Sequence, residues 1–211
     1  MIDFGVLFTT AALIFPSELP DKTFIATLVL ATRFPRRAVW LGVVAAFALQ
    51  VTIAVLAGGL LSLAPERLVY GITFVLFTVG AVILIRQGLI SRTKALAETS
   101  DEIAETENDE KITHMPLRPG FFMVFTTSFA IIFTAEWGDL SQLLTAGLAA
   151  RTGDPLSVAI GAWIALATVA ALATFIGGYV QDRIPLYRIR LISGGILAAL
   201  AIWTAIEFFS A

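Results

Sequence analysis

The sequence contains no cysteine and a single histidine, and only 14% of its 211 residues are charged. Without cysteine there is no disulfide, no thiolate metal site and no cysteine nucleophile. The one histidine, His114, lies in a polar stretch, which argues against histidine-based catalysis. Soluble globular proteins carry about 25% charged residues. The low charge, with 58% hydrophobic residues, therefore predicts an integral protein of the lipid bilayer. The net charge of −2 gives no indication of nucleic-acid binding, and we expect none.

Six apolar segments are each long enough to form a membrane-spanning helix, which needs about 20 residues. They run over Phe4–Thr32, Ala38–Ala64, Leu68–Ile90, Gly120–Ala150, Leu156–Val180 and Leu186–Phe209. The first and fourth are longer than one straight span requires, so we predict that they are tilted, or broken and partly re-entrant. The N-terminus lacks the basic region of a signal peptide, so we expect the first segment to be retained.

One long polar stretch, residues 92–119, separates residues 1–91 from residues 120–211, and each of these halves holds three apolar segments. Its acidic residues are Glu98, Asp101, Glu102, Glu105, Glu107, Asp109 and Glu110. We predict a solvated linker, helical in part. The alternative is that the acidic cluster recruits cations or a partner protein.

The basic residues are distributed unequally when the loops are assigned alternately to the two sides of the membrane. One side receives eleven of them, including Arg33, Arg92 and Arg183, and the other receives only Arg67 and Arg151. Because cytoplasmic loops carry an excess of Lys and Arg, the linker is predicted to be cytoplasmic and both termini to lie outside. The short chain without a targeting segment favours a bacterial inner membrane.

The two halves share a motif. The sequence ELPDKT, Glu18–Thr23, matches EWGDLS, Glu136–Ser141, at an offset of 118 residues, and the match extends to Arg33 and Arg151. Downstream it continues with one inserted residue. Because three spans reverse the direction of the chain, the fold predicted is all-α, with six transmembrane helices in two inverted three-helix repeats. Secondary transporters commonly have this arrangement, with their sites near the membrane midplane.

Each motif copy carries two carboxylates three residues apart, which places both on one face of a helix. The four are Glu18, Asp21, Glu136 and Asp139, and they lie near the midpoints of the first and fourth segments. Each would cost about 2.5–3.5 kcal/mol if it faced lipid, so they must face one another or a watery cavity. Carboxylates suit Ca²⁺, Mg²⁺ or Mn²⁺. The sequence therefore predicts a divalent-cation site, at which protons compete with the cation.

Further residues of the motif have more than one interpretation. Pro20 and Gly138 stand at equivalent positions between the acids and are predicted to break the helix, exposing backbone oxygens to an ion; a packing kink alone is the alternative. Lys22 is predicted to be a counter-ion for Asp21; the alternative is that it replaces a cation during the transport cycle. The neutral side chains Thr23, Ser141 and Gln142 either bind the ion or bond their own backbone. Gln50, in the second segment, either lines a path or packs.

The paired motifs resemble the twin Glu-x-Gly-Asp-Lys/Arg-Thr/Ser motifs of the Gdt-type family, over the whole chain. That family comprises Golgi calcium/manganese–proton exchangers and related manganese exporters of bacteria and chloroplasts, and it lies near the lysine exporter superfamily. The resemblance implies that the four acids bind the transported cation, with Thr23, Ser141 and Gln142 nearby. Two positions depart from the family pattern, because Pro20 replaces a glycine and Leu140 a basic residue. These departures leave the ion preference and the stoichiometry open.

The function predicted is antiport, with export of Mn²⁺ or Ca²⁺ from the cytoplasm in exchange for protons, in the service of ion homeostasis. No cofactor is expected besides the transported cation. The alternative is a cation channel, or an exporter of small organic cations of the lysine-exporter type. An intramembrane metal-dependent enzyme would show histidine ligands or a denser aspartate cluster, so we expect no enzymatic activity. The sequence leaves open whether the chain forms a homodimer.

Overall fold

The computed structural model describes residues 2–19, 22–89, 100–101, 103–113, 115–116, 119–183 and 186–210. Within these residues the regular structure is helical and no strand occurs, which confirms the all-α prediction. The eight longer helices are α1 (Phe4–Glu18), α2 (Lys22–Arg33), α3 (Arg36–Leu61), α4 (Glu66–Leu89), α5 (Phe121–Ala135), α6 (Leu140–Thr152), α7 (Pro155–Arg183) and α8 (Leu186–Ser210).

The helices differ in how they could cross a membrane. Among the described residues, α3 and the part of α7 over Pro155–Ile176 are long and apolar enough to span it alone. Helices α5 and α6 meet that requirement only as a pair, bent by 73° at their break. The first and fourth apolar segments are each divided into two helices, α1 with α2 and α5 with α6.

The surface is rich in large apolar side chains. Phe8, Leu56 and Ile202 are each more than 60% exposed, and many others are more than a third exposed. Soluble monomers rarely expose extended apolar patches. The surface is therefore that of a protein surrounded by lipid.

The helices of the two halves interleave. Helix α3 packs on α5 and α6, whereas α7 packs on α1 and α2, and α4 packs along α8. A Cβ atom added to Gly42 would stand 2.4 Å from the carbonyl oxygen of Phe125, and one added to Gly161 would stand 2.4 Å from that of Leu7. Both glycines therefore bring two helices into backbone contact, as small residues do in membrane proteins.

Helices α3 and α7 also contact each other, through two tryptophans. The indole nitrogen of Trp40 donates to the carbonyl oxygen of Ala167 at 3.2 Å, and that of Trp163 donates to Val44 at 3.3 Å. Each tryptophan therefore satisfies its N–H inside the protein, on the helix of the other half.

The described part of the linker is helical in places, including a short helix over Glu110–Thr113. Its Ile112 is only 5% exposed and belongs to the hydrophobic core. Glu107 forms an ion pair of 3.0 Å with Arg33, and the Lys111 ammonium lies 3.4 Å from the Thr134 hydroxyl. This segment is thus packed against α2 and α5 and is not entirely solvated.

Candidate metal centre

The break between α5 and α6 is a tight turn that contains two of the predicted acids. The Glu136 N–H still donates to Ile132, and the Asp139 N–H donates back to the Glu136 carbonyl at 3.2 Å. Between them Gly138 has a φ of 79°, a left-handed conformation that glycine adopts without strain. Asp139 then caps α6, since its carboxylate accepts from the Ser141 N–H at 3.3 Å.

The break between α1 and α2 is only partly described. Helix α1 ends at Glu18, with Leu19 as its cap, and α2 begins at Lys22. The predicted ligand Asp21 and the predicted helix breaker Pro20 lie outside the described residues, as does the side chain of Lys22.

Three of the four predicted acids come together at these breaks. One carboxylate oxygen from each of Glu18, Glu136 and Asp139 lies within 4.8 Å of the other two. Glu18 and Glu136 are only 2% and 1% exposed, and Asp139 is partly buried. Opposite ligands of a cation with metal–oxygen distances of 2.3–2.6 Å are about 4.6–5.2 Å apart. The cluster therefore has the size of a coordination site for a hard divalent cation.

The charges of the cluster need compensation. Two unit charges 4.8 Å apart repel by about 3.5 kcal/mol at an effective dielectric constant of 20. A divalent cation or a bound proton among the three carboxylates relieves this repulsion. The same carboxylate oxygens can therefore bind either a divalent cation or a proton. They bind both together less readily, because the two positive charges repel each other.

The hydroxyl groups near the breaks differ between the halves. The Thr23 and Thr27 hydroxyls, one turn apart on α2, are buried and have no hydrogen-bond partner among the described residues. In the matching turn of α6, the Thr145 hydroxyl donates to the carbonyl of Ser141 at 2.7 Å. The two matching threonines, Thr27 and Thr145, thus differ in their hydrogen bonding.

Two glutamines bond the backbone of the α5–α6 break. The Gln142 amide donates to the Glu136 carbonyl at 3.0 Å, and its oxygen accepts from the Gly138 N–H at 3.2 Å. Gln50 on α3 donates to the Phe133 carbonyl at 3.2 Å. The Glu136 carbonyl accepts from both Gln142 and Asp139, so both of its lone pairs are used. The Glu136 carbonyl is therefore occupied by donors of the protein, and the exposure of other backbone oxygens to an ion stays a prediction.

The sequence leaves the role of Gln50 open, because the side chain could either line a path or pack. Gln50 stands out in the sequence as a polar amide within the apolar 26-residue helix α3. Nothing in the sequence indicates that this amide contacts Phe133, 83 residues away. Thr27 carried a weaker signal as part of the repeated motif, matched with Thr145.

Comparison with known proteins agrees with the motif. A family model described as "Divalent cation/proton antiporter GDT1" matches residues 6–92 and 124–211. The chain is 35% identical over 199 residues to the GDT1-like protein sll0615 of Synechocystis, covering 92% of this chain and 95% of that one. It is 34% identical over 203 residues to GDT1-like protein 5 of Arabidopsis thaliana, covering 88% of each.

A rice relative, GDT1-like protein 2, chloroplastic, is 31% identical over 223 residues, covering 96% of this chain and 61% of its own. No solved structure matches. Both halves of the chain are matched by the family model, and the carboxylate cluster combines acids from both. The chain is therefore an integral membrane protein of the GDT1 family of divalent cation/proton antiporters.

Proposed function

We propose that this protein exports Mn²⁺, Ca²⁺ or both from the cytoplasm in exchange for protons, with Glu18, Asp21, Glu136 and Asp139 as the cation ligands. The observation that carries the proposal is the cluster of three carboxylate oxygens within 4.8 Å of one another. Carboxylates this close repel one another when all are ionised, and a cation or a proton bound among them lowers that repulsion. Successive occupation by the two species is the elementary requirement of antiport.

Neutral oxygens complete the proposed site. The buried Thr23 hydroxyl is available as a ligand, because it has no hydrogen-bond partner among the described residues. Ser141 is proposed as a second neutral ligand, and Gln142 holds the backbone around the acids through its bonds to Glu136 and Gly138. Lys22 serves as the counter-ion of Asp21. We propose no resident cofactor besides the transported cation. The site also needs no homodimer, since its ligands belong to one chain.

We further propose that six spans form two inverted three-helix repeats, residues 1–91 and 120–211, joined by a cytoplasmic linker over 92–119. The contacts of the two glycines support this arrangement. Gly42 approaches Phe125 and Ser128, whereas Gly161 approaches Leu7 and Thr10. The glycines are 119 residues apart and their partners are 118 apart, so the two contacts are equivalent under the motif alignment. The location proposed is a bacterial inner membrane with both termini outside.

Reconstitution into liposomes tests the function. Purified protein is expected to move Mn²⁺ or Ca²⁺ into vesicles with a simultaneous counterflow of protons, reported by a pH-sensitive dye inside. Glu136→Gln and Asp139→Asn should each lower the exchange rate at least tenfold. Asp101→Asn, which removes an exposed linker carboxylate, is the matched control and should exchange normally. Cation flux without proton counterflow would contradict antiport and favour the channel.

A further inference from the structure

The α5–α6 break is held by hydrogen bonds from two amide side chains. Gln142 connects the Glu136 carbonyl to the Gly138 N–H, and Gln50 reaches from α3 to the Phe133 carbonyl. Gln50 is only 2% exposed. Since burying an amide is costly unless it is hydrogen-bonded, the contact with Phe133 is what makes Gln50 tolerable inside the apolar helix α3.

The Phe133 carbonyl lies in the last turn of α5, where carbonyl groups lose their partners within the helix. Its neighbour Ile132 still accepts from the Glu136 N–H at 3.1 Å. Gln50 supplies a donor to Phe133 from a neighbouring helix, one turn before Glu136. The end of α5, and with it the start of the turn that carries Glu136 and Asp139, is therefore fastened to α3.

The equivalent positions at the other break are apolar. At the offset of 118 residues Gln142 corresponds to Phe24, and at the offset of 119 residues Gln50 corresponds to Val169. Phe24 and Val169 are 2% and 3% exposed and belong to one small hydrophobic cluster with Leu19. The two breaks are thus supported by different chemistry at matching positions, directional hydrogen bonds at one and apolar packing at the other.

We propose that Gln50 is a positioning residue of the cation site, which acts with Gln142 to fix the α5–α6 break so that the Glu136 and Asp139 carboxylates are held ready for the cation. This inference rests on the proposed function. Gln50 itself does not touch the cation. Its loss leaves the acids in place but loosens the turn that orients them, so it weakens cation binding more than it slows the exchange of a loaded protein.

The test compares Gln50→Met, which keeps the length of the side chain but has no donor, with Thr52→Val. Thr52 lies on the same helix, is exposed, and bonds only the Ala48 carbonyl of its own helix. We expect Gln50→Met to raise the KM for Mn²⁺ or Ca²⁺ threefold to tenfold, with a maximal exchange rate within twofold of wild type. Thr52→Val should change neither quantity. Gln50→Asn keeps the amide but is one methylene shorter, and it replaces Gln50→Met if that variant does not fold.

A second measurement uses no transport. The rise in unfolding temperature caused by added Mn²⁺ or Ca²⁺ should need a higher metal concentration in the Gln50 variants, by the same threefold to tenfold. If a Gln50 variant is less stable but has the wild-type KM and metal dependence, Gln50 only packs; the inference then fails while the proposed function stands. If wild-type protein neither exchanges nor is stabilised by either metal, and Glu136→Gln changes nothing, the proposed function fails and the inference with it.

Discussion

Replacing Gly42 with alanine is expected to force α3 and α5 apart. The added methyl carbon would stand 2.4 Å from the carbonyl oxygen of Phe125 and 3.1 Å from the Cβ of Ser128. Carbon–oxygen contacts between packed helices are ordinarily about 3.3–3.6 Å long. Helix α3 must therefore withdraw by about 1 Å, because the carbonyl belongs to the backbone and cannot rotate away.

The magnitude follows from this geometry. A gap of about 0.5–1 Å forfeits a quarter to a half of the dispersion attraction between the atoms it separates, and overpacking costs about 1–3 kcal/mol. Because the contact is with rigid backbone, we place the overpacking cost of Gly42→Ala at the upper end, about 3 kcal/mol. The better helix propensity of alanine offsets about 1 kcal/mol of this cost. We expect a net loss of about 2 kcal/mol in the free energy of unfolding.

Gly59→Ala on the same helix is the matched control, because a Cβ there meets nothing within 4 Å. It should gain about 1 kcal/mol from helix propensity alone. The difference of about 3 kcal/mol corresponds to about 6–12 °C in unfolding temperature for a chain of this size. Tryptophan fluorescence of purified protein in detergent measures it. If the two variants unfold within 2 °C of each other, α3 and α5 are not in backbone contact.

Three further predictions concern the turn, the linker and the N-terminal end of α7. Gly138→Ala should cost about 1–2 kcal/mol of stability, because φ is 79° there while no atom lies within 4 Å of the added Cβ. Gly138→Asn should cost less, and equal unfolding temperatures for the two variants would contradict a left-handed turn. The Arg33–Glu107 pair, with side chains 42% and 44% exposed, should contribute no more than about 1 kcal/mol in a double-mutant cycle of unfolding, and less in high salt; a larger, salt-independent coupling would refute this. Hydrogen bonding by Ser157 lowers the pKa of the Asp154 carboxyl, so Asp154 stabilises the fold above its ordinary pKa and loses this effect as the pH falls through the lowered value. Asp154→Asn should therefore be less stable than wild type at pH 7 and approach it in acid; a deficit that grew in acid would oppose the assignment.

The helix breaks and three of the acids at them were accessible from sequence because their causes are local. Glycine and proline both disfavour a continuous helix, and the two copies of the motif at a fixed offset predict a break at equivalent positions of the two halves. The structure places Glu18, Glu136 and Asp139 together. Asp21 as the fourth ligand stays a prediction, because it lies outside the described residues.

Contacts between distant segments could not be predicted in the same way. The sequence did not reveal that the Gln142 amide donates to the Glu136 carbonyl, and its role as an ion ligand stays a prediction. The unpaired groups at a helix end compete for any amide within reach, and sequence spacing does not show which amide that is. The linker was expected to be solvated because it is acidic, but the side chain of Ile112 is buried. The acidic composition of the linker predicts that most of its side chains are solvated, but it does not predict that Ile112 packs into the core.

The interleaving of the two halves constrains how the protein is made. Glu18 is synthesised 118 residues before Glu136, which at about 5–20 residues per second is a delay of about 6–24 s. Helix α7, which covers α1, is completed later still. A lone carboxylate facing lipid costs about 2.5–3.5 kcal/mol, so α1 is less stable in the bilayer by itself during this interval. We therefore expect the first helix to be stabilised only when the second half arrives, and a chain truncated before α7 to be cleared rather than accumulate.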